Sequence, residues 1–413
     1  MSAKVIVAHP GRQHSYRLAT ALEKKGDLLY YVTTIYNKKK PSFLMKISDI
    51  FLRKDDKIRA NKRRCEGIDD SRIIQYCEFG GIVDAYLSRK NVTLYHKHRD
   101  KIANKFGKKV AKLAIRENAD AVIMYDTNAT KCFEILKKKA PNIKRILDVS
   151  IADRHYMKYI YEREIKNSKS TDLKHGNEYM WNNKKMEYLL REVMAADHFF
   201  VASHFVRQSL NFLNIENCRI SLIPYGANVE CSVKKRTRDK ICRFLFVGQI
   251  NYRKGIPYLL EAFSQLDNST LTLVGNYNSE DSFVKKYIFN EKIRFVGNVT
   301  FDKVKGYYES SDVFVIDSFA EGMAQVGIEA MACGLPLICS ENSGVNDLIK
   351  DGVNGFVIPC GNTKVLKEKM QWFINNTDQI DRMGQRAKET AKDYTWENYE
   401  KKISFAIDKI LGE

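Results

Sequence analysis

Short apolar runs recur along the chain and alternate with stretches whose apolar positions return every three or four residues. The first pattern predicts buried strands and the second predicts amphipathic helices. In the first half, strands are expected at Lys4–Ala8, Leu28–Thr33, Ala121–Tyr125, Arg145–Val149, His198–Ala202 and Ile220–Pro224. The first strand ends in the turn His9-Pro10-Gly11, and a helix is expected over Ser15–Lys25. Residues 154–193 are rich in Tyr and charge and are read as helical. In the second half the expected strands are Phe244–Val247, Leu271–Val274, Ile293–Val296, Val313–Asp317 and Leu335–Cys339. Helices are expected over Pro257–Leu266, 280–289, Val304–Ser310, 324–333 and Trp396–Leu411.

Strands that alternate with helices imply parallel sheets, right-handed crossovers and ligand sites at the carboxyl ends of strands. A charged break, Val233–Lys240, interrupts the alternation before it restarts. With 413 residues the chain is long enough for two cores. The division expected is a Rossmann-like domain over 1–232, a linker over 233–243, a second Rossmann-like domain over 244–395 and a C-terminal helix over 396–413.

Charge sharpens this division. Residues 1–243 carry 50 Lys and Arg against 27 Asp and Glu, a balance of +23, while residues 244–413 carry 19 against 23, a balance of −4. The whole excess of +19 therefore sits in the first part, where it speaks about partners. An anionic membrane surface, a phosphorylated acceptor or a nucleic acid would each fit. Residues 42–64 mix Phe43, Leu44, Ile47, Ile50 and Phe51 with Arg53, Lys54, Lys57, Arg59, Lys62, Arg63 and Arg64. This reads as a basic amphipathic insertion for a membrane surface or as an ordinary surface helix. No apolar run reaches membrane-span length, and the N-terminus lacks the apolar region of a signal peptide. A cytoplasmic protein is expected, peripheral on the inner face of the cell membrane if the basic surface docks there. Nine cysteines without Cys-x-x-Cys spacing suggest no disulfide framework, most being small buried residues. His96 and His98 lack further ligands nearby and read as a helix face, not a metal site.

Candidate chemistry concentrates where strands hand over to helices. Gly248-Gln249-Ile250-Asn251-Tyr252-Arg253-Lys254-Gly255 follows a strand and precedes a helix. There Lys254 and Arg253 could place charge on a diphosphate, or simply decorate a solvated turn. Glu321-Gly322-Met323-Ala324-Gln325 lies at the next such junction, where backbone N–H groups at a helix start favour an anion. Glu329 follows Glu321 by eight residues. In a continuous helix that separation is about 12 Å, so the two carboxylates could serve opposite ends of one ligand.

Three motifs carry a resemblance. They are Gly248…Lys254-Gly255, Glu321-Gly322…Glu329-Ala330-Met331-Ala332-Cys333-Gly334-Leu335-Pro336 and Gly344-Val345…Asp351-Gly352-Val353-Asn354-Gly355-Phe356. Together they resemble retaining glycosyltransferases of family 4, over about residues 195–400. The resemblance implies the GT-B architecture: two Rossmann-like domains facing a cleft, with a C-terminal helix crossing back to the N-terminal domain. It implies that Glu321 contacts the donor sugar, Glu329 the ribose and Lys254 the diphosphate. Backbone N–H groups at Gly322, Met323, Ala324 and Gln325 would complete the phosphate cradle, and Gly11 would let the N-terminal domain approach it.

The chain departs from the family in three places. Gln249 stands where the family often has Arg, which Arg253 or Arg12 could replace. Gly322-Met323-Ala324 replaces the usual Gly-Phe-Gly. The family's His after the strand Arg145–Val149 is missing, and Asp148 is the nearest polar residue, either as the acceptor-side group or as a helix cap. No Asp-x-Asp occurs, so a metal-dependent transferase is disfavoured and no cofactor is expected. The function expected is metal-independent, retaining sugar transfer from a nucleotide-diphosphate sugar to a glycan or lipid-linked acceptor. Bacterial surface polysaccharide synthesis (lipopolysaccharide, O-antigen or capsule) is the expected setting. A sugar-nucleotide epimerase or hydrolase of the same fold is the alternative, and a basic nucleic-acid-binding protein a more remote one.

Overall fold

The computed structural model describes residues 2–11, 13–39, 63–168, 182–227, 231 and 241–412. Arg12, most of the basic insertion at 42–64 and most of the linker at 233–243 therefore lie outside the described residues.

The first sheet is built from β1 (Val5–Ala8), β2 (Leu28–Thr33), β3 (Ile73–Gln75), β4 (Ala121–Tyr125), β5 (Lys144–Val149), β6 (His198–Val201) and β7 (Ile220–Leu222). Its seven strands run in the order β3-β2-β1-β4-β5-β6-β7, every neighbouring pair parallel. The second sheet contains β8 (Cys242–Val247), β9 (Ser269–Val274), β10 (Ile293–Gly297), β11 (Val313–Ile316), β12 (Leu337–Ser340) and β13 (Gly355–Ile358). Its six strands run β10-β9-β8-β11-β12-β13, again all parallel.

The central strands explain the sequence signal. Val-Ile-Val-Ala in β1 and Val-Phe-Val-Ile in β11 are buried at every position. A parallel strand covered by helices on both faces has no polar side to show, so it reads as a continuous apolar run. In both sheets the order of the strands reverses next to the first strand, between β1 and β4 and between β8 and β11. The carboxyl ends at those reversals form the crevice in which open α/β sheets hold ligands.

The C-terminal helix Trp396–Gly412 crosses back and packs on the helix Ser15–Lys25 of the first domain. Lys24 pairs with Glu400 at 2.6 Å, Lys25 pairs with Asp408, and the Arg17 guanidinium lies 5.2 Å over the Trp396 ring. Two long helices that the sequence did not announce, Glu78–Lys90 and Val92–Arg116, cover the first sheet beside β2 and β3. One expectation about the cysteines needs correction. Cys231 and Cys333 form a disulfide across 102 residues. Of the free thiols only Cys132, Cys242 and Cys339 are fully buried.

Candidate active site in the interdomain cleft

The turn after β8 is shaped by two glycines and an asparagine. Asn251 Oδ1 accepts the Lys254 N–H at 3.1 Å and fixes the single turn Tyr252–Lys254. Gly255 follows at φ +69°, and a Cβ there would lie 1.9 Å from the carbonyl oxygen of Asp317. Only glycine lets this turn press against the end of β11. The contact is further tied by the Phe319 N–H donating to the Arg253 carbonyl at 2.8 Å.

That apposition brings three charges together. Lys254 Nζ and Arg253 Nη1 each lie 2.6 Å from the same oxygen, Oε1 of Glu321. Arg253 also donates to the Ala320 carbonyl at 2.8 Å. Burial pushes the Glu321 carboxyl up, but the two cations outweigh it and hold the group below its usual range. Burial also pulls the Lys254 ammonium down, and Glu321 recovers only part of that loss. Two largely buried but not sealed cations thus share one carboxylate, so the cluster retains one positive charge at the cleft. An incoming anion would be attracted by that excess, at low effective dielectric.

The segment carrying Glu321 is a loop, not helix: helix Gln325–Ala332 begins four residues later. Its carboxylate is therefore set by loop contacts. The Glu321 N–H donates to the Asn342 carbonyl at 3.2 Å, and the Ala324 N–H donates to the Ser343 carbonyl at 3.1 Å. Of the amides expected in the cradle, that of Ala324 is thus already engaged, while Gln325 and Val326 are the first two of the helix and have no acceptor within it. Glu329 lies one turn along the helix, where its Oε2 accepts the Tyr308 hydroxyl at 2.8 Å. Gly248 and Met323 sit close to Lys254 and Glu321, and Gln249 is exposed on the loop rim.

A cavity of about 430 Å³ lies between the domains. Lys254, Glu321, Met323, Ala324, Gln325 and Val326 line it from one side, and Gln13, His14, Ser150 and Tyr225 from the other. Glu329 and Gly11 are not among its lining residues. Gly11 instead borders a separate pocket in the first domain, where its N–H donates to His9 Nδ1 at 2.9 Å. Asp148 is buried below the cavity and reaches it through an unforeseen partner. His14 Nε2 sits 3.0 and 3.1 Å from the two Asp148 oxygens. The imidazole packs between Tyr125, Tyr225 and Tyr399. Burial raises the Asp148 carboxyl while His14 draws it back. The sequence pointed to Asp148 but not to His14, which is 134 positions away in the chain. The one local signal was a histidine at the N-cap of the helix that follows β1.

The domains touch at the same place. Gly322 passes so close to the first domain that a Cβ would meet the Ser150 carbonyl oxygen at 2.0 Å. Its own carbonyl accepts the Ser203 hydroxyl. His204 Nδ1 pairs with Asp347 at 3.0 Å alongside.

Residues 232–390 match the family model of glycosyl transferases group 1. That match covers most of the second domain. An uncharacterised glycosyltransferase of Methanocaldococcus jannaschii is 28% identical over 245 residues, 58% of this chain and 67% of that protein. Two further glycosyltransferases of that organism are matched over 42% and 60% of their own lengths. In three dimensions the chain resembles sucrose-phosphate synthase from Thermosynechococcus elongatus, with a TM-score of 0.71, 18% identity and 99% of both chains covered. It also resembles Anabaena HepE, solved in complex with UDP, with a TM-score of 0.63, 13% identity, and 98% of this chain and 100% of that one covered. These likenesses are of fold, and the fold is GT-B. The group 1 glycosyltransferase domain thus lines the cavity with Lys254 and Glu321, and the first domain lines it with His14, which is held by Asp148.

Proposed function

We propose that this group 1 glycosyltransferase belongs to family 4 and moves a sugar, with retention and without a metal, from a nucleotide-diphosphate sugar to a glycan or lipid-linked acceptor. The observation that carries the reading is the cluster of Lys254, Arg253 and Glu321 beside a helix start, facing His14 across the cavity. In the reaction, the bond between the anomeric carbon and the diphosphate oxygen breaks and its electron pair leaves with the diphosphate. The acceptor oxygen bonds to the anomeric carbon, and its proton passes to the leaving oxygen. Lys254 and the amides of Gln325 and Val326 would stabilise the charge that develops there. Glu321 would hold donor hydroxyls, Glu329 the ribose, and Gly248, Gln249 and Met323 the walls around them. His14, held by Asp148, would serve the acceptor face. Closure of the domains supplies proximity and excludes water. Lys254 provides the charge that a metal supplies to transferases with an Asp-x-Asp motif, which this chain lacks.

A thermal-shift screen against UDP-, GDP-, ADP- and dTDP-sugars tests this, run with and without EDTA. The HepE complex makes UDP-sugars the first arm. At 100 times Kd the donor should contribute about 2.7 kcal/mol, a rise of roughly 5–11 °C in the midpoint of the donor-binding domain unfolding as its own unit of about 150–250 residues, unchanged by EDTA. A shift and turnover that vanish in EDTA and return with Mn²⁺ or Mg²⁺ would sink the metal-independent reading. Consumption of donor with no acceptor dependence would identify an epimerase or hydrolase instead. We place the enzyme in bacterial surface polysaccharide synthesis.

The acceptor's setting is proposed to be an anionic membrane surface. Lys97, Lys101, Lys105, Lys108 and Lys112 are exposed along the helix Val92–Arg116, a basic stripe at helical spacing. Phe79, Tyr86 and Leu94 are exposed beside it, at 67%, 62% and 51%. Each lysine near an anionic surface contributes about 1 kcal/mol, which salt screens. No helix among the described residues is long and apolar enough to cross a membrane. The expected result is co-sedimentation with vesicles containing phosphatidylglycerol, reversed by salt and by changing Lys101, Lys105 and Lys108 to Glu. Equal binding to neutral vesicles would rule it out.

A further inference from the structure

The second cavity of the first domain has its own chemistry. It encloses about 260 Å³, near the lower end of the roughly 300–1,000 Å³ of small-molecule pockets. Its floor is the carboxyl end of β1 and the residue after β2, and its walls are the helices Glu78–Lys90 and Val92–Arg116. Gly81 allows this arrangement: a Cβ there would lie 2.5 Å from Thr34 Oγ1. Gln13 lines both this pocket and the interdomain cavity, so the two are neighbours across one side chain.

Its charge is one-sided. Arg99 and Arg63 line it, with Asp84 as the only carboxylate among the lining residues; Arg63 has a partner of its own, so the charge available to a ligand is that of Arg99. Asp84 is already engaged by His98 Nδ1 at 2.6 Å. Arg99 is held by its helix neighbour one turn back, donating to the Tyr95 hydroxyl with its guanidinium 5.6 Å from that ring's centroid. Among the described residues it has no carboxylate at ion-pair distance. The His9 imidazole at the floor stays neutral because burial lowers its pKa to about 3, so it adds no charge but keeps a buried Nε2 with no partner. A preordered guanidinium in a half-enclosed pocket suits an oxyanion, which it can grip with two parallel N–H groups.

We propose that this pocket receives an anionic group, a carboxylate or phosphate carried by a sugar of the acceptor, and thereby selects acidic acceptors. The proposal rests on the reading of the neighbouring cavity as the site of sugar transfer. It adds to that reading a chemical class for the acceptor.

The test measures binding alone and needs no turnover. The full chain is titrated by calorimetry with glucuronate, glucose 6-phosphate and glucose at constant ionic strength. The charged sugars should bind at least about tenfold tighter than glucose, the worth of one charge-assisted hydrogen bond. Glucuronate alone gaining would indicate an acidic sugar, and glucose 6-phosphate alone a phosphorylated one. Arg99→Gln should bring both charged sugars to the level of glucose, whereas Lys254→Gln, in the donor cavity, should not. Ser88→Phe, which places a ring at the exposed rim of the pocket, should abolish binding of the charged sugars and covers the case in which Arg99→Gln fails to fold. Equal binding of all three sugars, or loss with Lys254→Gln in place of Arg99→Gln, would overturn the inference. The donor screen reads the other cavity, so either reading can fail while the other stands.

Discussion

Glu321→Gln should lower kcat about 100- to 1,000-fold, the loss expected when one preorganised polar contact to a transition state is removed. The substitution keeps shape and removes one charge. That charge is shared: Arg253 and Lys254 both meet Oε1 at 2.6 Å. Breaking a buried pair by removing one partner costs about 3–5 kcal/mol, because the other charge is left uncompensated. The variant should therefore also unfold at lower temperature. The two effects separate cleanly if kcat is measured well below the midpoint. A stability loss with unchanged kcat would make Glu321 only the counter-ion of Lys254 and Arg253. A loss in both would place it on the donor as well. Glu329→Gln supplies the contrast. It lies in the helix, pairs with the Tyr308 hydroxyl and lines no part of the cavity. If it holds only the ribose, it contributes equally to ground and transition states, so the donor KM should rise with kcat nearly unchanged. The reverse pattern, kcat falling for Glu329 and KM rising for Glu321, would exchange their roles.

How much of this could be read from the sequence follows from the range of each interaction. β1 and β11 are apolar throughout because both faces of a parallel sheet are covered, and both were legible as strands. The Lys254 turn and the Glu321 loop were legible by contrast with those strands, as polar, glycine-bearing segments at their ends. Less legible was β3, three residues long and only partly buried. The helix Glu78–Lys90 carries Gly80 and Gly81, poor helix formers whose value lies in packing against Ile102 and Thr34. Pairings between distant residues left no trace at all. His14 with Asp148, and Cys231 with Cys333, become neighbours only once the chain has folded. A charge census identified the first domain as basic, but it took the fold to place six exposed lysines on one helix and two arginines in one pocket.

Gly322→Ala should be strongly damaging, because it acts on the contact between the two domains. The new Cβ would stand 2.0 Å from the Ser150 carbonyl oxygen and 2.8 Å from its carbon, both backbone atoms of the opposite domain. No rotamer can relieve a clash between two backbones. The domains must therefore separate, or the Glu321 loop must retreat. Either movement displaces Glu321 from His14 by something of the order of an ångström, which alone can cost about 100-fold in rate. Donor binding should hardly change, because Lys254, Glu321 and Glu329 all belong to the second domain. The expected signature is thus a kcat about 100-fold lower with a near-normal donor Kd, together with a larger radius of gyration in solution scattering. Gly306→Ala is the control. Nothing lies within 4 Å of its Cβ position, and it sits in the helix Phe301–Ser310, where alanine should add up to about 1 kcal/mol of stability. Ser203→Ala, which removes the hydroxyl that donates to the Gly322 carbonyl and also caps the helix His204–Asn211, should give an intermediate loss. If Gly322→Ala instead weakens donor binding and leaves the scattering profile unchanged, the loop has retreated within its own domain. Closure against Ser150 would then not be what the glycine is for.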